Sequence, residues 1–282
     1  MLGAIIGDII GSRWEFNPTN DYNFEWLSGD NGFTDDTICT VGVADALLHN
    51  RDFGESIHDW CNRYPHPMGS YGGRFAQWVH SNNPQPYGSY GNGSAMRVSP
   101  VGYWYDTEKQ VLDAAAETAK PSHNHEEGIK GAQTVALAIY KAMELNGRQE
   151  YGAAQHIDHV IKDCVAFSGY NINMAKAEVL NRFDETCQGT VPVALKIISI
   201  ATSFEDAIRL AVSLGADADT LGAIVGGIAE AIWGIPQTIK NQANLIIPAE
   251  MKSVISDFYQ VRPFPFSKPA KTPDREKLRE QW

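Results

Sequence analysis

IKGAQTVALAIYKAMEL, residues 129–145, is the stretch on which the fold reading turns. Apolar residues recur in it at spacings of three and four, punctuated by Lys130, Gln133 and Lys141, the pattern of a helix with one face turned to a core. The period predicts a helix over Glu127 to Leu145. The same reading gives helices over Asp36 to His49, Thr107 to Ala119, Val193 to Ser203, Phe204 to Leu214 and Asp219 to Trp233. Alternating patterns long enough for strands are scarce, so the chain reads as all-α. Between the periodic segments lie loops around residues 17–33, 62–74 and 81–94, rich in Gly, Pro, Asn, Ser and Tyr. Loops of that length in a compact protein usually line a site.

No linker, low-complexity segment or repeat of fixed period divides the 282 residues. They read as one domain, 1–282, with a Pro- and charge-rich tail, residues 262–282, expected to run along the surface. The 34 acidic against 23 basic residues give a net charge of -11, and no cluster of Lys and Arg stands ready to track a phosphate backbone. Nucleic acid is not expected as a partner, a single modified base excepted. Cys39, Cys61, Cys164 and Cys187 show neither CxxC nor paired spacing and read as free thiols. MLGAIIGDIIGSRWEF lacks a basic start and carries Asp8 within its apolar run, so it reads as part of the fold and not as a signal peptide. Leu221 to Ile235 is short for a bilayer and contains Glu230, so no membrane span is expected. A cytoplasmic location is the default expectation.

Four stretches carry residues capable of chemistry. FTDDT sets Asp35 and Asp36 side by side between Thr34 and Thr37, just before an apolar helix. GADADT sets Asp217 and Asp219 one residue apart before Thr220 and a helix dense in Gly and Ala. Either alone reads equally well as helix capping, with Thr or Asp satisfying free amides. A helix start offers only about half a unit of positive charge, too little for an acidic pair. The recurrence of the arrangement points to four carboxylates and neighbouring hydroxyls converging on hard divalent cations such as Mg²⁺ or Mn²⁺. Gly222, Gly226 and Gly227 would let the second helix approach a neighbour closely.

The third stretch, YGSYGNGSAMRVSP over Tyr87 to Pro100, offers glycine-rich backbone amides to an anion, although glycine-rich turns are common and the ending of a Walker A loop is missing. Arg97 there reads as a partner for a phosphate or for a carboxylate. The fourth, SHNHEEGIKGAQ, holds His123 and His125 without a further ligand at zinc spacing, which leaves substrate contact or surface capping.

Taken in order, GAIIGDIIGSRWEF (with Gly7, Asp8, Gly11 and Glu15), FTDDT, GNGSAMR, SHNHEEGIKGAQ and GADADTLGAIVGGIAEA resemble the ADP-ribosylglycohydrolase superfamily over most of the chain. The resemblance implies a compact single-domain orthogonal helical bundle around a cleft with two divalent cations, Mg²⁺ or Mn²⁺. It implies metal ligation by Thr34, Asp35, Asp36, Asp217, Asp219 and Thr220. Gly91, Asn92, Gly93, Ser94, Met96 and His123 match segments that line an ADP-ribose pocket, and Glu15 matches a glutamate beside the metals.

The implied reaction is hydrolysis of the glycosidic bond between ADP-ribose and a modified protein side chain or small molecule. Such a bond breaks through an oxocarbenium-like state and needs an activated water and a proton for the leaving group. Glu15 and Asp36 are the candidates for that proton work. Ala216 and Ala218 stand where many relatives carry glycine or serine, which bears on backbone approach there. Two other readings stand beside this one: a non-catalytic ADP-ribose binder or structural protein of the same fold, and a di-metal phosphohydrolase. The acceptor, whether arginine, serine, a guanidine compound, O-acetyl-ADP-ribose or a base, is not specified by any motif.

Overall fold

LGAIIGDIIG and ADTLGAIVGGIAEAIW have no polar stripe wide enough to face water, and helices of that kind belong in the middle of a protein. In the computed structural model every residue of the two except Leu2 is buried. The structure describes residues 1–148, 153–263, 271–272, 275–280 and 282.

The helices run, in chain order, α1 (Leu2–Gly11), α2 (Asp35–His49), α3 (Phe53–Arg63), α4 (Gly73–Val79), α5 (Gly93–Met96), α6 (Ser99–Trp104), α7 (Glu108–Ala119) and α8 (Glu126–Arg148). They continue with α9 (Ala153–Ser168), α10 (Lys176–Val179), α11 (Cys187–Ile200), α12 (Phe204–Val212), α13 (Ala218–Trp233), α14 (Gln237–Ala243), α15 (Ala249–Val261) and α16 (Glu276–Glu280). Among the described residues there is no strand, and β pairing is confined to an isolated bridge between Gly91 and Thr186. The all-α reading is therefore the observed class.

The central pair is α1 and α13. Gly3, Gly7 and Gly11 face Gly226, Gly222 and Ala218 in turn, so the two helices are antiparallel. A methyl on Gly7 would overlap the Gly222 carbonyl, and one on Gly222 the Gly7 carbonyl. Glycine alone permits backbones this close, and the neighbour expected for the glycines of α13 is thus α1. The end of α1 consequently meets the start of α13. Around this seam α8 packs on α6, α7, α9, α11 and α13, while α2 packs on α1 and α3. Glu230, the charged residue toward the end of α13, is buried and accepts from the Gly3 amide and the Tyr259 hydroxyl as well as the Met1 ammonium.

The element expected over Val193 to Ser203 is corrected to Cys187–Ile200. Thr186 caps its start by accepting from the Gly189 amide, and Pro192 is carried inside the helix. The end is set at Ala201, which is extended, and Ser203 caps α12 instead. The loops expected around 62–74 and 81–94 are shortened at their ends by α4 and α5.

Of the tail 262–282, residues 264–270, 273–274 and 281 lie outside the described residues. Where it is described the tail is seated on the body: Thr272 and Arg275 are buried, and Thr272 Oγ1 accepts from Trp233 Nε1 at 3.2 Å. All four cysteines are free and buried. No helix of the described residues is long and apolar enough to cross a membrane.

Candidate active site

The seam delivers the end of α1 to the starts of α2 and α13, and the acidic residues gather there. Asp8 lies on α1, fully buried. Its carboxylate accepts from the Thr34 amide at 3.0 Å, the Thr34 hydroxyl at 2.8 Å and the Thr37 amide at 3.1 Å, and also from the Thr37 hydroxyl. Asp8 thereby ties α1 to the first turn of α2. Thr34 caps α2 through its own side chain, which accepts from the Asp36 amide. At α13 the cap position is Asp217, yet its side chain makes no capping bond and Oδ2 instead accepts from Asn92 Nδ2 at 2.7 Å. Thr220 reaches across from α13 to donate to Asp36 Oδ2 at 3.3 Å.

Ligand oxygens of Asp8, Asp36 and Asp219 all lie within 4.8 Å of one another. Asp35, Asp217 and Glu15 border the same cavity, of about 300 Å³. Among the described residues no Lys, Arg or His forms an ion pair with any of the six, and Asp36 Oδ1 and Glu15 Oε2 are buried without a hydrogen-bond partner. The consequence is electrostatic. Burial first, and then their mutual repulsion, hold Asp36 and Asp219 well above the usual carboxylate range. Burial and the charges of Asp8 and Glu15 push Asp35 up to about 8. Glu15 rises to about 7 through burial and Asp217, and Asp8 to about 6 through burial, opposed by its four donors. Hard oxygen donors, surplus negative charge and an unpartnered buried carboxylate oxygen are what a divalent cation compensates, so the residues present fit such an ion.

The cavity lining also holds a second group, Arg74, Phe75, Tyr87, Arg97 and His123, in which cations and aromatic rings pack on one another: the His123 ring lies 6.3 Å from that of Phe75 and 6.1 Å from that of Tyr87, and the Arg97 guanidinium 5.9 Å from Phe75. Arg97 is 1% exposed and pairs with no carboxylate among the described residues. Arg74 lies over the Tyr87 ring at 4.7 Å and donates to the Tyr87 carbonyl. At the mouth Phe16 is 73% exposed. Gly69, at φ +77, would place a Cβ 2.6 Å from Glu15 Oε2, so only a residue without one leaves the glutamate its position.

Glu15, Asp35, Asp36, Asp217, Asp219 and Thr220 line the cavity, as do Gly91, Asn92, Gly93, Met96 and His123. Thr34 and Ser94 do not. The Thr34 hydroxyl is spent on Asp8 and Asp36, and the Ser94 hydroxyl donates to the Gly128 carbonyl at 2.7 Å. The amides of the glycine loop are also partly committed, Gly91 to Ser89 Oγ and Asn92 to the Glu185 carbonyl.

Sequence reasoning missed Asp8 as part of the acidic cluster, although a lone aspartate inside an apolar run was the signal. It missed Glu185, Arg74, Phe75 and Tyr87, which carry no local pattern and enter the cavity only through the fold.

A family model described as ADP-ribosylglycohydrolase matches residues 1–264. Among curated proteins, the chain is 28% identical over 190 residues to ADP-ribosylhydrolase ARH3 of Xenopus tropicalis, a match spanning 57% of this chain and 54% of that one. It is 25% identical over 308 aligned positions to ADP-ribosylhydrolase ARH3 of Homo sapiens, covering 84% of this chain and 85% of that one. Among solved structures, an ADP-ribosylglycohydrolase-related protein complex superposes with a TM-score of 0.66 at 23% identity, over 93% of this chain and 95% of its own.

Proposed function

Because the chain belongs to the ADP-ribosylglycohydrolase family, we propose that it is a divalent-cation-dependent hydrolase releasing ADP-ribose from a modified protein side chain or small molecule. The observation that carries the reading is the composition of one cavity. Five carboxylates without a cationic partner, Glu15, Asp35, Asp36, Asp217 and Asp219, share its lining with Arg97, Arg74, His123 and two aromatic rings, and Asp8 joins the carboxylates from beside it. ADP-ribose has matching parts: a ribose whose hydroxyls suit a cation, a diphosphate that suits buried cations and donors, and a base that suits aromatic faces.

In this reading Asp35, Asp36, Asp217, Asp219 and Thr220 hold two cations, Mg²⁺ or Mn²⁺, and Asp8 adds a carboxylate the sequence had not assigned. Bound there, the cations supply the charge that orients the ribose hydroxyls and acidifies a water. Thr34 acts indirectly, fixing Asp36 from beneath. Glu15 and Asp36 are the two candidates for proton transfer: each keeps one oxygen, Glu15 Oε2 and Asp36 Oδ1, without a hydrogen-bond partner, while Asp36 Oδ2 accepts from the Thr220 hydroxyl; this reading gives Asp36 to the cations and the water to Glu15. Glu15 would take a proton from the attacking water as the bond to the anomeric carbon forms. The proton for the departing acceptor atom comes from solvent at the open mouth beside Phe16. Asn92 keeps Asp217 in place, and the Gly91 to Gly93 turn with His123 lies against the diphosphate.

The test is to incubate the chain with Mg²⁺ or Mn²⁺ and substrates carrying ADP-ribose on arginine, serine, acetate or a nucleotide base. Release of free ADP-ribose from one of them supports the reading. Binding without release from any would favour the non-catalytic alternative.

A further inference from the structure

His123 is 5% exposed and borders the cavity, with Nε2 beside the glycine loop: a Cβ on Gly93 would lie 3.0 Å from that nitrogen and one on Gly91 3.5 Å. Among the described residues Nε2 has no hydrogen-bond partner. Its other nitrogen, Nδ1, lies 2.8 Å from Ser122 Oγ. The same oxygen accepts from Arg97 Nη2 at 2.9 Å, and Nη2 donates as well to the Thr118 carbonyl at 2.8 Å.

The direction of this chain follows from what each group is able to do. A guanidinium only donates, so one lone pair of the Ser122 oxygen is taken. The hydroxyl proton then needs an acceptor, and among the described residues the acceptor within reach is His123 Nδ1. Nδ1 must therefore be bare and Nε2 must carry the ring proton. A second ring proton would set an N–H against that hydroxyl and add charge beside a buried guanidinium. Burial, and then the Arg97 charge, accordingly hold His123 well below the usual histidine range.

We propose that Arg97 and Ser122 are positioning residues that, through the chain Arg97 to Ser122 to His123, hold His123 as the neutral Nε2–H tautomer, a fixed hydrogen-bond donor toward an anionic group above the Gly91–Gly93 turn. That the anion is the diphosphate of ADP-ribose rests on the function proposed above; the tautomer does not. The arrangement also accounts for a buried arginine with no acidic partner: Arg97 serves a serine and a carbonyl, and its Nε and Nη1 are left without partners. A fixed tautomer makes the donor present before the ligand arrives, so no rearrangement accompanies binding.

The experiment is nitrogen NMR of the full chain labelled in its histidines, at pH 7, with His123→Gln identifying the His123 signals. The expected spectrum shows a protonated Nε2 and a bare Nδ1. In Ser122→Ala the Nδ1-protonated form should appear and ADP-ribose affinity by calorimetry should fall about tenfold, the worth of one such hydrogen bond. Ser122→Thr, which keeps the hydroxyl, should restore both. A wild-type ring protonated at Nδ1, or at both nitrogens, overturns the proposal, as does a Ser122→Ala chain with unchanged tautomer and affinity. If Ser122→Ala fails to fold, the wild-type spectrum decides alone. If the wild-type chain binds no ADP-ribose, the functional reading falls while the spectrum still judges the relay.

Discussion

The two acidic helix starts look alike in sequence and behave differently in the structure. At α2 the threonine caps, its hydroxyl meets Asp8, and the Asp36 and Thr37 amides are taken by Thr34 and Asp8. At α13 the cap position belongs to Asp217, whose carboxylate forgoes its own helix and turns to Asn92. One start anchors and the other reaches. The lesson is that an acidic pair before a helix need not be a cap: the capping job is taken where a neighbour such as Asp8 makes it worthwhile and abandoned where a site draws the carboxylate away.

The comparison breaks most completely if the two starts are pushed apart. Gly7→Ala would drive a methyl into the Gly222 backbone, which has no rotamer with which to give way. A cost of about 3 kcal/mol or more is expected, read as a fall in Tm on the order of 10 °C; an unchanged Tm would show that the seam has slack. Next comes the reaching start. Asp219→Asn should lower cation affinity and turnover by about 100-fold or more while leaving the fold intact, measured by calorimetry with Mn²⁺ and by ADP-ribose release. Equal turnover would remove Asp219 from the site.

Charge sharpens the comparison further. Asp8 at about 6, Glu15 at about 7 and Asp35 at about 8 all sit above the value of roughly 4 that carboxylates take in an unfolded chain. The folded chain therefore retains protons that the unfolded chain has released. The stability they bring is fully present below about pH 4 and is lost as pH rises through 6 to 8. Chelated protein should melt several degrees lower at pH 8 than at pH 5, and Mg²⁺ or Mn²⁺ should raise Tm more at pH 8, because cations then take the place of protons. A chelated Tm that rises toward pH 8 would contradict the charge balance. The smallest effect separates the caps themselves. Thr34→Ala should cost about 1–2 kcal/mol, and Asp217→Ala less, since no capping bond is lost; the reverse order in thermal melts would refute the distinction.

Much of this was legible in the letters. The 3.6 period gave α2, α7, α8, α12 and α13 to within a few residues, because those helices bury one face or are apolar throughout. Asp35, Asp36, Asp217 and Asp219 announced themselves by their repetition. What stayed hidden lacked a period or a neighbour in sequence. α1 is almost wholly apolar, so no face stood out, and its Asp8 entered as an argument against a signal peptide and as part of the family resemblance, without a place among the acidic residues of the site. Arg74, Phe75 and Tyr87 reach the cavity from segments whose course depends on the finished bundle. Ser94 shows what a motif leaves unsaid, since its hydroxyl donates to the backbone of α8.

The glycine seam has one more consequence, which concerns time. Its two halves, Gly3 to Gly11 and Ala218 to Gly226, stand more than two hundred residues apart along the chain. Contacts of such separation form late, after the entropy of closing the intervening loop has been met. On the ribosome, α1 waits as an apolar segment without its match until most of the chain has emerged. The carboxylates are brought together in that same closing step, so the chain has no cluster to load with cations until its centre has zipped shut.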